Sequence, residues 1–305
     1  MEQKSNVQYR AEKEYKNSRE KFFLLLREVI SNAIHAVIIR RLKDDSIIPS
    51  ISLDINLREN ECRICITDNG EGFTKQNREC FEALDKINSE KERYKFHPLG
   101  QGRLAIVFFA DSANYETVYK DEAGIYWKQD IPYPNVSDGL FELDGFSKEK
   151  VEAKDTYTKL SLIINKPHTF GRAHTFFKTR SDINALKLWI IETFFPFLIQ
   201  NETLSISLTF NGESATITRK NIETEIEQAT FELDLAEKKY AFSIWLIRSC
   251  SPMKGENLIT CFARNLKAEL SNSKLSYQLD NETGYKLYLT SDLFDECVDT
   301  KGEHI

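Results

Sequence analysis

The chain has 305 residues, of which 41% are hydrophobic, so it is long for one domain and has enough apolar residues for two cores. Charged residues make up 29% of the chain and the net charge is −6 at pH 7, which excludes a disordered polar chain and a globally basic nucleic-acid binder. The charged segment 1–17 is not a signal peptide, and no uninterrupted apolar run approaches the roughly 18 to 20 residues of a membrane span, so we expect a cytoplasmic protein.

The first part of the chain is predicted to alternate helices with strands. Apolar residues at helical spacing predict one long helix from about residue 18 to 43. Two runs with period-two alternation, 51–57 and 61–67, predict a β-hairpin that ends in a glycine-rich turn. Residues 75–86 are predicted as a helix. Residues 87–99 are polar and irregular, which predicts a loop long enough to form a mobile lid.

Strands dominate the chain after a glycine turn that opens an apolar helix at 100–111. They are predicted at 113–120, 124–130, 140–146 and 156–165. Residues 166–182 lack clean periodicity and are interpreted as a join between two domains. The predicted domains are therefore 1–168 and 169–305.

The second domain begins with an apolar helix at 186–199 that is broken near Pro196. An Asn-Gly turn at 211–212 predicts a hairpin between the flanking strands. Further strands are predicted at 230–235, 240–248, 258–266 and 285–291. The fold class is therefore α/β in the α+β sense, with a helix-on-sheet sandwich followed by a second α/β domain.

The six cysteines are scattered, and only Cys62 and Cys65 have the spacing of a metal site. They lie on one alternating strand, where residues three apart point to opposite faces. No second pair and no nearby histidine completes a zinc site in the sequence. We expect reduced, buried cysteines with a structural role.

A polar stripe on the first long helix carries Glu28, Asn32 and His35 at positions i, i+4 and i+7. A carboxylate one turn from a carboxamide suits a general base beside an oxygen ligand for Mg²⁺. Taken alone, the pattern is weak, because polar helix faces are commonly just solvated.

Two glycine-rich segments follow strands or precede helices. Asp68 ends a strand, and Gly70 and Gly72 follow it, so a carboxylate can accept a hydrogen bond from an exocyclic amine while backbone approaches a flat ring. Gly100 and Gly102 precede a helix, whose unpaired N–H groups and dipole favour phosphate. Each motif alone is also typical of an ordinary turn.

The order and spacing of these motifs resemble the Bergerat ATP-binding fold of the GHKL superfamily, which includes gyrase, heat-shock chaperone, histidine kinase and MutL ATPases. The matching segments are REVISNAIHA (27–36), TDNGEGF (67–73), LGQGRL (99–104) and YTKLSL (157–162). The resemblance implies ATP binding and slow Mg²⁺-dependent hydrolysis of ATP, coupled to domain closure and to an ATP-dependent homodimer.

Four residues take specific roles if the resemblance is carried over position by position. Glu28 would orient and deprotonate the attacking water, and Asn32 would hold the Mg²⁺ that bridges the phosphates. Asp68 would bind the adenine amine, and Thr158 would support it through a water.

The glycine motifs also take roles from the resemblance. Gly70 and Gly72 would allow close approach to the base. Gly100 and Gly102, with Arg103 in the same motif, would bind the phosphates. The chemistry would be phosphoryl transfer to water, driven by positioning and charge neutralisation.

The chain departs from the family pattern at two positions. Many relatives have Asp where His35 stands, and the simplest interpretation of His35 is a structural hydrogen bond. Relatives close to MutL have Gly where Tyr157 stands.

The second domain resembles a MutL-like transducer domain less sharply. LITCFARNLKAEL (258–270) is similar to the strand that bears an Asn-Gly-Arg turn in MutL, with residues changed. LFDECVDTKGEHI (293–305) is similar to the segment in which a lysine reaches the ATP site, which here is Lys301. Relatives with this layout carry further domains, so we expect an N-terminal fragment of a longer protein.

Three other functions share parts of this pattern. A histidine protein kinase needs a phospho-accepting histidine before the nucleotide domain, and no histidine precedes the first long helix. A DNA topoisomerase or other DNA-handling subunit shares the two-domain layout, although the acidic balance does not favour DNA binding. A nucleotide-sensing module without hydrolysis would not need Glu28. No membrane partner is expected, and the client is not specified by the sequence.

Overall fold

In this computed structural model the described residues are 7–15, 22–83, 86, 88–94, 96, 102–133, 146–222, 226–235, 238–249, 257–268, 276–277 and 284–298. The chain divides into two compact units, one formed by Met1–Leu188 with Thr203–Ile217 and the other by Trp189–Glu202 with Thr218–Ile305. Each unit has its own sheet. The mixture of helices and mixed sheets confirms the predicted α+β class. The assignment of domains to 1–168 and 169–305 stays a prediction.

The first unit is built on a mixed sheet. Its described strands are β1 (Ser50–Leu57), β2 (Cys62–Asp68), β3 (Ser112–Lys120), β4 (Tyr126–Tyr133), β5 (Lys148–Lys150), β6 (Tyr157–Ile164), β7 (Ser205–Phe210) and β8 (Glu213–Ile217). Their order across the sheet is β5-β4-β3-β6-β2-β1-β7-β8, with β1 and β7 parallel and the other neighbours antiparallel.

The predicted hairpin of β1 and β2 is confirmed, with Ile51 opposite Asp68. Its alternation has a clear physical cause, because Ile51, Leu53 and Ile55 are buried while Ser52 between them is exposed. One face of this hairpin is therefore covered and the other is polar.

Six of the described helices lie wholly within the first unit. They are α1 (Val7–Tyr15), α2 (Phe22–Lys43), α3 (Lys75–Glu82), α4 (Ser89–Arg93), α5 (Gly102–Phe109) and α6 (Pro167–Lys178). The predicted long helix corresponds to α2, which contacts β1, β2, α4, α5 and α6. Phe22 at its start is fully buried, with ring contacts of 5.7 Å to Phe109, Phe176 and Phe177. This aromatic cluster fixes α2 as the central helix of the unit.

The interpretation of 166–182 as an irregular join is wrong, because these residues contain α6. Pro167 lies in the first turn of α6, where its missing N–H is tolerated. Ala173, Phe176 and Phe177 have helical spacing and are buried. The threonines, histidines and glycine around them obscured this period in the sequence.

The second unit has a separate sheet. Its described strands are β9 (Ile226–Leu235), β10 (Lys238–Ser249), β11 (Asn257–Ala263), β12 (Leu266–Ala268), β13 (Ser276–Tyr277) and β14 (Gly284–Ser291). The order is β12-β11-β14-β10-β9, and β13 also pairs with β11. A short helix, α8 (Asp292–Cys297), follows β14.

The predicted break near Pro196 is confirmed in α7 (Ile183–Gln200). Phe194 has non-helical torsion angles, φ −112° and ψ 19°. The break lies just before Pro196, as expected for a residue that cannot donate a helical hydrogen bond. Phe195 next to the break contacts Trp245, with ring centroids 6.1 Å apart, and Tyr288, at 4.3 Å.

Two tight hairpin turns use residues with positive φ. Asn211 and Gly212 have φ of 50° and 91° between β7 and β8, which confirms the predicted Asn-Gly hairpin. Arg264 and Asn265 have φ of 51° and 60° between β11 and β12.

Two helices among the described residues are long and apolar enough to cross a membrane, judged by length and composition alone. They are α2 and α7, in which 78% and 56% of the apolar window is buried inside the protein. The α2 window includes Arg27 and Glu28, which interrupt its apolar run. The buried core helices of globular proteins pass the same test of length and composition.

Candidate functional site

Asp68 lies at the end of β2, on the same buried face as Ile64 and Ile66. The carboxyl is buried and accepts a hydrogen bond from the amide of Gly70, with a distance of 2.9 Å. Burial raises the pKa of Asp68 from 3.8 to about 7, although the Gly70 amide and the charges of Lys91 and Arg40 act in the opposite direction. A buried carboxyl with few protein donors is suited to accept a hydrogen bond from a ligand.

A row of three polar residues crosses the sheet at this end. Asp68 pairs with Thr158 in β6, and Thr158 pairs with Thr117 in β3. Thr117 is fully buried, and its hydroxyl accepts from the amide of Phe73 at 3.2 Å and donates to the carbonyl of Tyr157 at 3.1 Å. Thr158 was predicted, whereas Thr117 was missed because the register between β3 and β6 is not visible in the sequence.

The two glycines after Asp68 permit close contacts that other residues would block. A Cβ atom on Gly70 would lie 2.6 Å from Cβ of Ala36 in α2. Gly72 has φ of 71°, and a Cβ there would lie 2.5 Å from the carbonyl oxygen of Val118. The turn therefore packs directly on helix α2 and strand β3.

Arg40 of α2 links the backbone of this turn to the backbone that precedes β6. Its guanidinium donates to the carbonyls of Asn69 at 2.6 Å and Thr156 at 3.2 Å and pairs with the carboxylate of Asp155. The hydroxyl of Thr156 donates to the carbonyl of Gly70 at 2.6 Å. These bonds link α2, the end of β2 and the start of β6, and so position Asp68.

Glu28 lies on α2 with its side chain 29% exposed, 3.5 Å from the guanidinium of Arg27. A Cβ atom on Gly102 would lie 2.5 Å from Oε2 of Glu28, so any larger residue at this position would displace the carboxylate. Gly102 is the first residue of α5. The carboxylate therefore lies beside a helix N-terminus, where the dipole stabilises negative charge.

Asn32 is exposed one turn after Glu28, and its amide oxygen accepts a hydrogen bond from the ammonium of Lys91 at 2.6 Å. Burial lowers the pKa of Lys91 to about 8, while electrostatic interactions with Glu28, Cys80 and Asp68 raise it. One ammonium is therefore within electrostatic range of groups from α2, β2 and α3. Lys91 lies in the segment that was predicted as a lid with basic residues, but its contact with Asn32 could not be predicted from the sequence.

His35 is buried and stacks on Phe96, with ring centroids 4.4 Å apart and planes at 4°. The hydroxyl of Ser31 is 3.5 Å from Nε2 of His35. Burial and, to a smaller degree, the charge of Lys91 lower the pKa of His35 well below 6.5, so the imidazole is neutral at pH 7. His35 therefore adds no charge beside Asn32 at this pH.

Arg103 makes contacts of a structural kind. Its guanidinium donates to the carbonyl of Ala83 at 2.8 Å and lies 5.3 Å from the ring centroid of Phe81. Its role in phosphate binding stays a prediction. The predicted roles of Gly100 and Lys301 fall on residues outside those that the structure describes.

The donor set fits a magnesium ion that keeps waters and phosphate oxygens as ligands. Among the described residues no cluster of three His, Cys, Asp or Glu side chains could hold a metal without help. Magnesium commonly uses one or two protein oxygens with substrate phosphates, which matches Asn32 beside Glu28. The amide oxygen of Asn32 already faces a cation, the Lys91 ammonium, at 2.6 Å.

Four residues predicted from three separate motifs, Glu28, Asn32, Asp68 and Gly102, thus lie near one another or near Lys91 in the described structure. Glu28 contacts Gly102, Asn32 contacts Lys91, and the charge of Lys91 acts on both Glu28 and Asp68. No protein-family model matches this chain, and no curated protein matches it.

Proposed function

We propose that the chain is an ATP-binding protein of the GHKL type that hydrolyses ATP slowly with Mg²⁺. The observation that supports this function best is the convergence on Lys91, whose ammonium interacts with Asn32, Glu28 and Asp68. These residues belong to two motifs that are far apart in the sequence, and Gly102 of a third motif contacts Glu28. An arbitrary collection of solvated side chains would not bring all three motifs together.

The adenine end of the proposed site is the polar row Asp68, Thr158 and Thr117. An ionised Asp68 accepts a hydrogen bond from the exocyclic amine of the base, while Gly72 brings the backbone close to the ring. Low dielectric around the buried carboxyl strengthens this hydrogen bond. Arg40 keeps the turn in place through the carbonyls of Asn69 and Thr156.

The phosphate end lies between α2 and the start of α5. Glu28 is the general base that orients a water and takes its proton, because its carboxylate is partly exposed beside the α5 N-terminus. Asn32 would hold Mg²⁺ through its amide oxygen. When bound, Mg²⁺ neutralises phosphate charge and orients the phosphoryl group.

The proposal extends to the biological context implied by the resemblance. Binding of ATP would drive closure of the second unit and formation of a homodimer, with Lys301 contacting the γ-phosphate. We place the protein in the cytoplasm. There are two alternative functions. A DNA-handling subunit would hydrolyse ATP faster in the presence of DNA, and a nucleotide sensor would bind ATP without hydrolysing it.

The decisive experiment separates ATP binding from chemistry. With a non-hydrolysable ATP analogue and Mg²⁺, calorimetry is expected to show binding to the parent protein and to Glu28→Gln but none to Asp68→Asn. Turnover is expected to fall by roughly a hundred- to ten-thousandfold in Glu28→Gln, the scale of losing a general base. Both variants remove charge at a site residue while preserving the size of the side chain.

The matched controls are Asp54→Asn and Glu213→Gln, at exposed positions of β1 and β8. Both are expected to bind and hydrolyse ATP like the parent protein. If Glu28→Gln hydrolyses ATP at the rate of the parent protein, Glu28 is not the general base. Absence of binding to the parent protein would overturn the proposed function as a whole.

A further inference from the structure

A lysine ammonium contacts the amide oxygen of Asn32, the atom proposed to bind Mg²⁺. Lys91 of α4 donates to Oδ1 of Asn32 at 2.6 Å, and its charge acts on Glu28 and Asp68. Lys91 lies 59 residues from Asn32 in the chain, so the contact is tertiary rather than a local helix pair.

The segment that carries Lys91 is held against the protein at several other points. Glu90 pairs with Lys43 of α2 at 2.5 Å. The amide nitrogen of the buried Asn88 side chain donates to Oδ1 of Asn77 at 2.9 Å. Phe96 stacks on His35 of α2 at 4.4 Å. Contacts on both sides of Lys91 therefore fix where its ammonium lies.

An ammonium and Mg²⁺ compete for this amide oxygen. Magnesium requires near-octahedral oxygen ligands at about 2.0 to 2.1 Å, and two cations held this close in a partly buried place repel each other. The arrangement also supplies a positive charge to Glu28 and Asp68 when no metal is bound. Binding of metal then requires the ammonium to leave.

We propose that Lys91 is a tethered competitor of Mg²⁺, which keeps the site closed to metal until the ammonium is displaced. The inference rests on the proposed function for the identity of the natural ligand, a magnesium nucleotide. Segment Asn88–Tyr94 is the part of the chain that moves when the competitor leaves. Because the ammonium has to leave before metal can bind, metal binding is coupled to the opening of this segment.

The first test uses Mn²⁺ alone, an oxygen-binding stand-in for Mg²⁺ that calorimetry or electron paramagnetic resonance can follow without nucleotide. Lys91→Met, which keeps the apolar stem and removes the charge, is expected to bind Mn²⁺ roughly ten- to a hundredfold more tightly than the parent protein, the scale of one hydrogen bond to a charged group. Lys91→Gln, a second neutral variant, is expected to behave in the same way.

Two control variants leave a positive charge beside Asn32, one with arginine at position 91 and one with Lys91 itself unchanged. Lys91→Arg retains the competing cation and is expected to bind Mn²⁺ like the parent protein. Lys86→Met removes an exposed lysine that pairs with Glu79, and no change in Mn²⁺ affinity is expected. Equal or weaker Mn²⁺ binding in both neutral Lys91 variants would overturn the inference.

The second test follows amide hydrogen exchange across Asn88–Tyr94. Without metal, exchange is expected to be faster in Lys91→Met than in the parent protein. Addition of Mn²⁺ is expected to accelerate exchange in the parent and to change little in the variant. Slower exchange of this segment in the parent protein on adding Mn²⁺ would contradict displacement of Lys91.

The two proposals fail in different ways. If the parent protein binds no ATP analogue at any Mg²⁺ concentration, the proposed function fails, and the Mn²⁺ titration still decides the role of Lys91. If the parent binds the analogue and the neutral variants show the same metal dependence as the parent, only the inference on Lys91 fails.

Discussion

The buried carboxyl of Asp68 lowers the stability of the folded protein when it is ionised. Its buried carboxyl has a pKa of about 7, compared with 3.8 when it is exposed. Above pH 7 the folded protein therefore holds a desolvated negative charge that the unfolded chain solvates fully. In the proposed function, the same charge accepts a hydrogen bond from the adenine amine.

The raised pKa predicts a particular pH dependence of stability. Between about pH 4 and pH 7 the folded state holds a proton on Asp68 that the unfolded state has lost. The free energy of unfolding therefore falls as pH rises through this range, and the stabilisation present at low pH is lost above pH 7. Asp68→Asn is expected to remove this dependence and to be more stable than the parent at pH 8, by roughly 1 to 4 kcal/mol.

Urea unfolding of the parent and of Asp68→Asn at pH 8 and pH 5.5 measures the effect. The comparison between the two proteins matters because His35, with its lowered pKa, acts in the opposite direction as pH falls. The difference in stability between parent and variant should therefore shrink at pH 5.5. An equal difference at both pH values would contradict the raised pKa of Asp68.

At the scale of elements, two glycines have opposite roles, in a turn and in a helix. Gly72 has φ of 71° in the turn after β2, and a Cβ there would meet the Val118 carbonyl at 2.5 Å. Gly171 lies in α6 with no atom within 4 Å of an added Cβ. The first position requires glycine, whereas at the second glycine only weakens the helix.

Substitution of each glycine by alanine should therefore change stability in opposite directions. Gly72→Ala is expected to lower the free energy of unfolding by roughly 2 kcal/mol or more and to weaken binding of the ATP analogue. Gly171→Ala is expected to raise it by about 0.5 to 1 kcal/mol without changing binding. Urea unfolding of both variants is the measurement. Equal effects would show that the turn after β2 tolerates a side chain.

At the scale of the whole molecule, the proposed coupling between the two units depends on Lys301. The resemblance implies that its ammonium contacts the γ-phosphate, so its contribution belongs to turnover rather than to ground-state binding. Lys301→Ala is expected to lower kcat by roughly ten- to a thousandfold, the scale of one charge-stabilising donor. Affinity for ADP, which has no γ-phosphate, should hardly change.

Steady-state kinetics and calorimetry with ADP test this expectation. The control is Lys238→Ala, since Lys238 is an exposed lysine of the second unit that pairs with Glu296. Sedimentation of the parent protein with and without the ATP analogue measures the expected dimer. Full turnover in Lys301→Ala would mean that another residue contacts the γ-phosphate, and the assignments of Glu28 and Asp68 would stand.

The sequence by itself determined those features that depend on local spacing. The long apolar segment of α2 is visible in the sequence because this helix is buried around most of its circumference, and β1 and β2 are visible because each buries every second side chain. The Asn211–Gly212 turn is visible because its positive φ values select those residues. The motif residues Glu28, Asp68 and Gly102 could be named because the order and spacing of their motifs resemble the Bergerat ATP-binding fold.

Only the tertiary structure decided which distant residues meet. The period of α6 was hidden because its buried Ala173 and Phe177 alternate with polar residues and Gly171. Thr117 enters the polar row through the register of β3 on β6, and Lys91 meets Asn32 across 59 residues. Register and long-range contact depend on packing of whole elements, and local spacing carries no information about them.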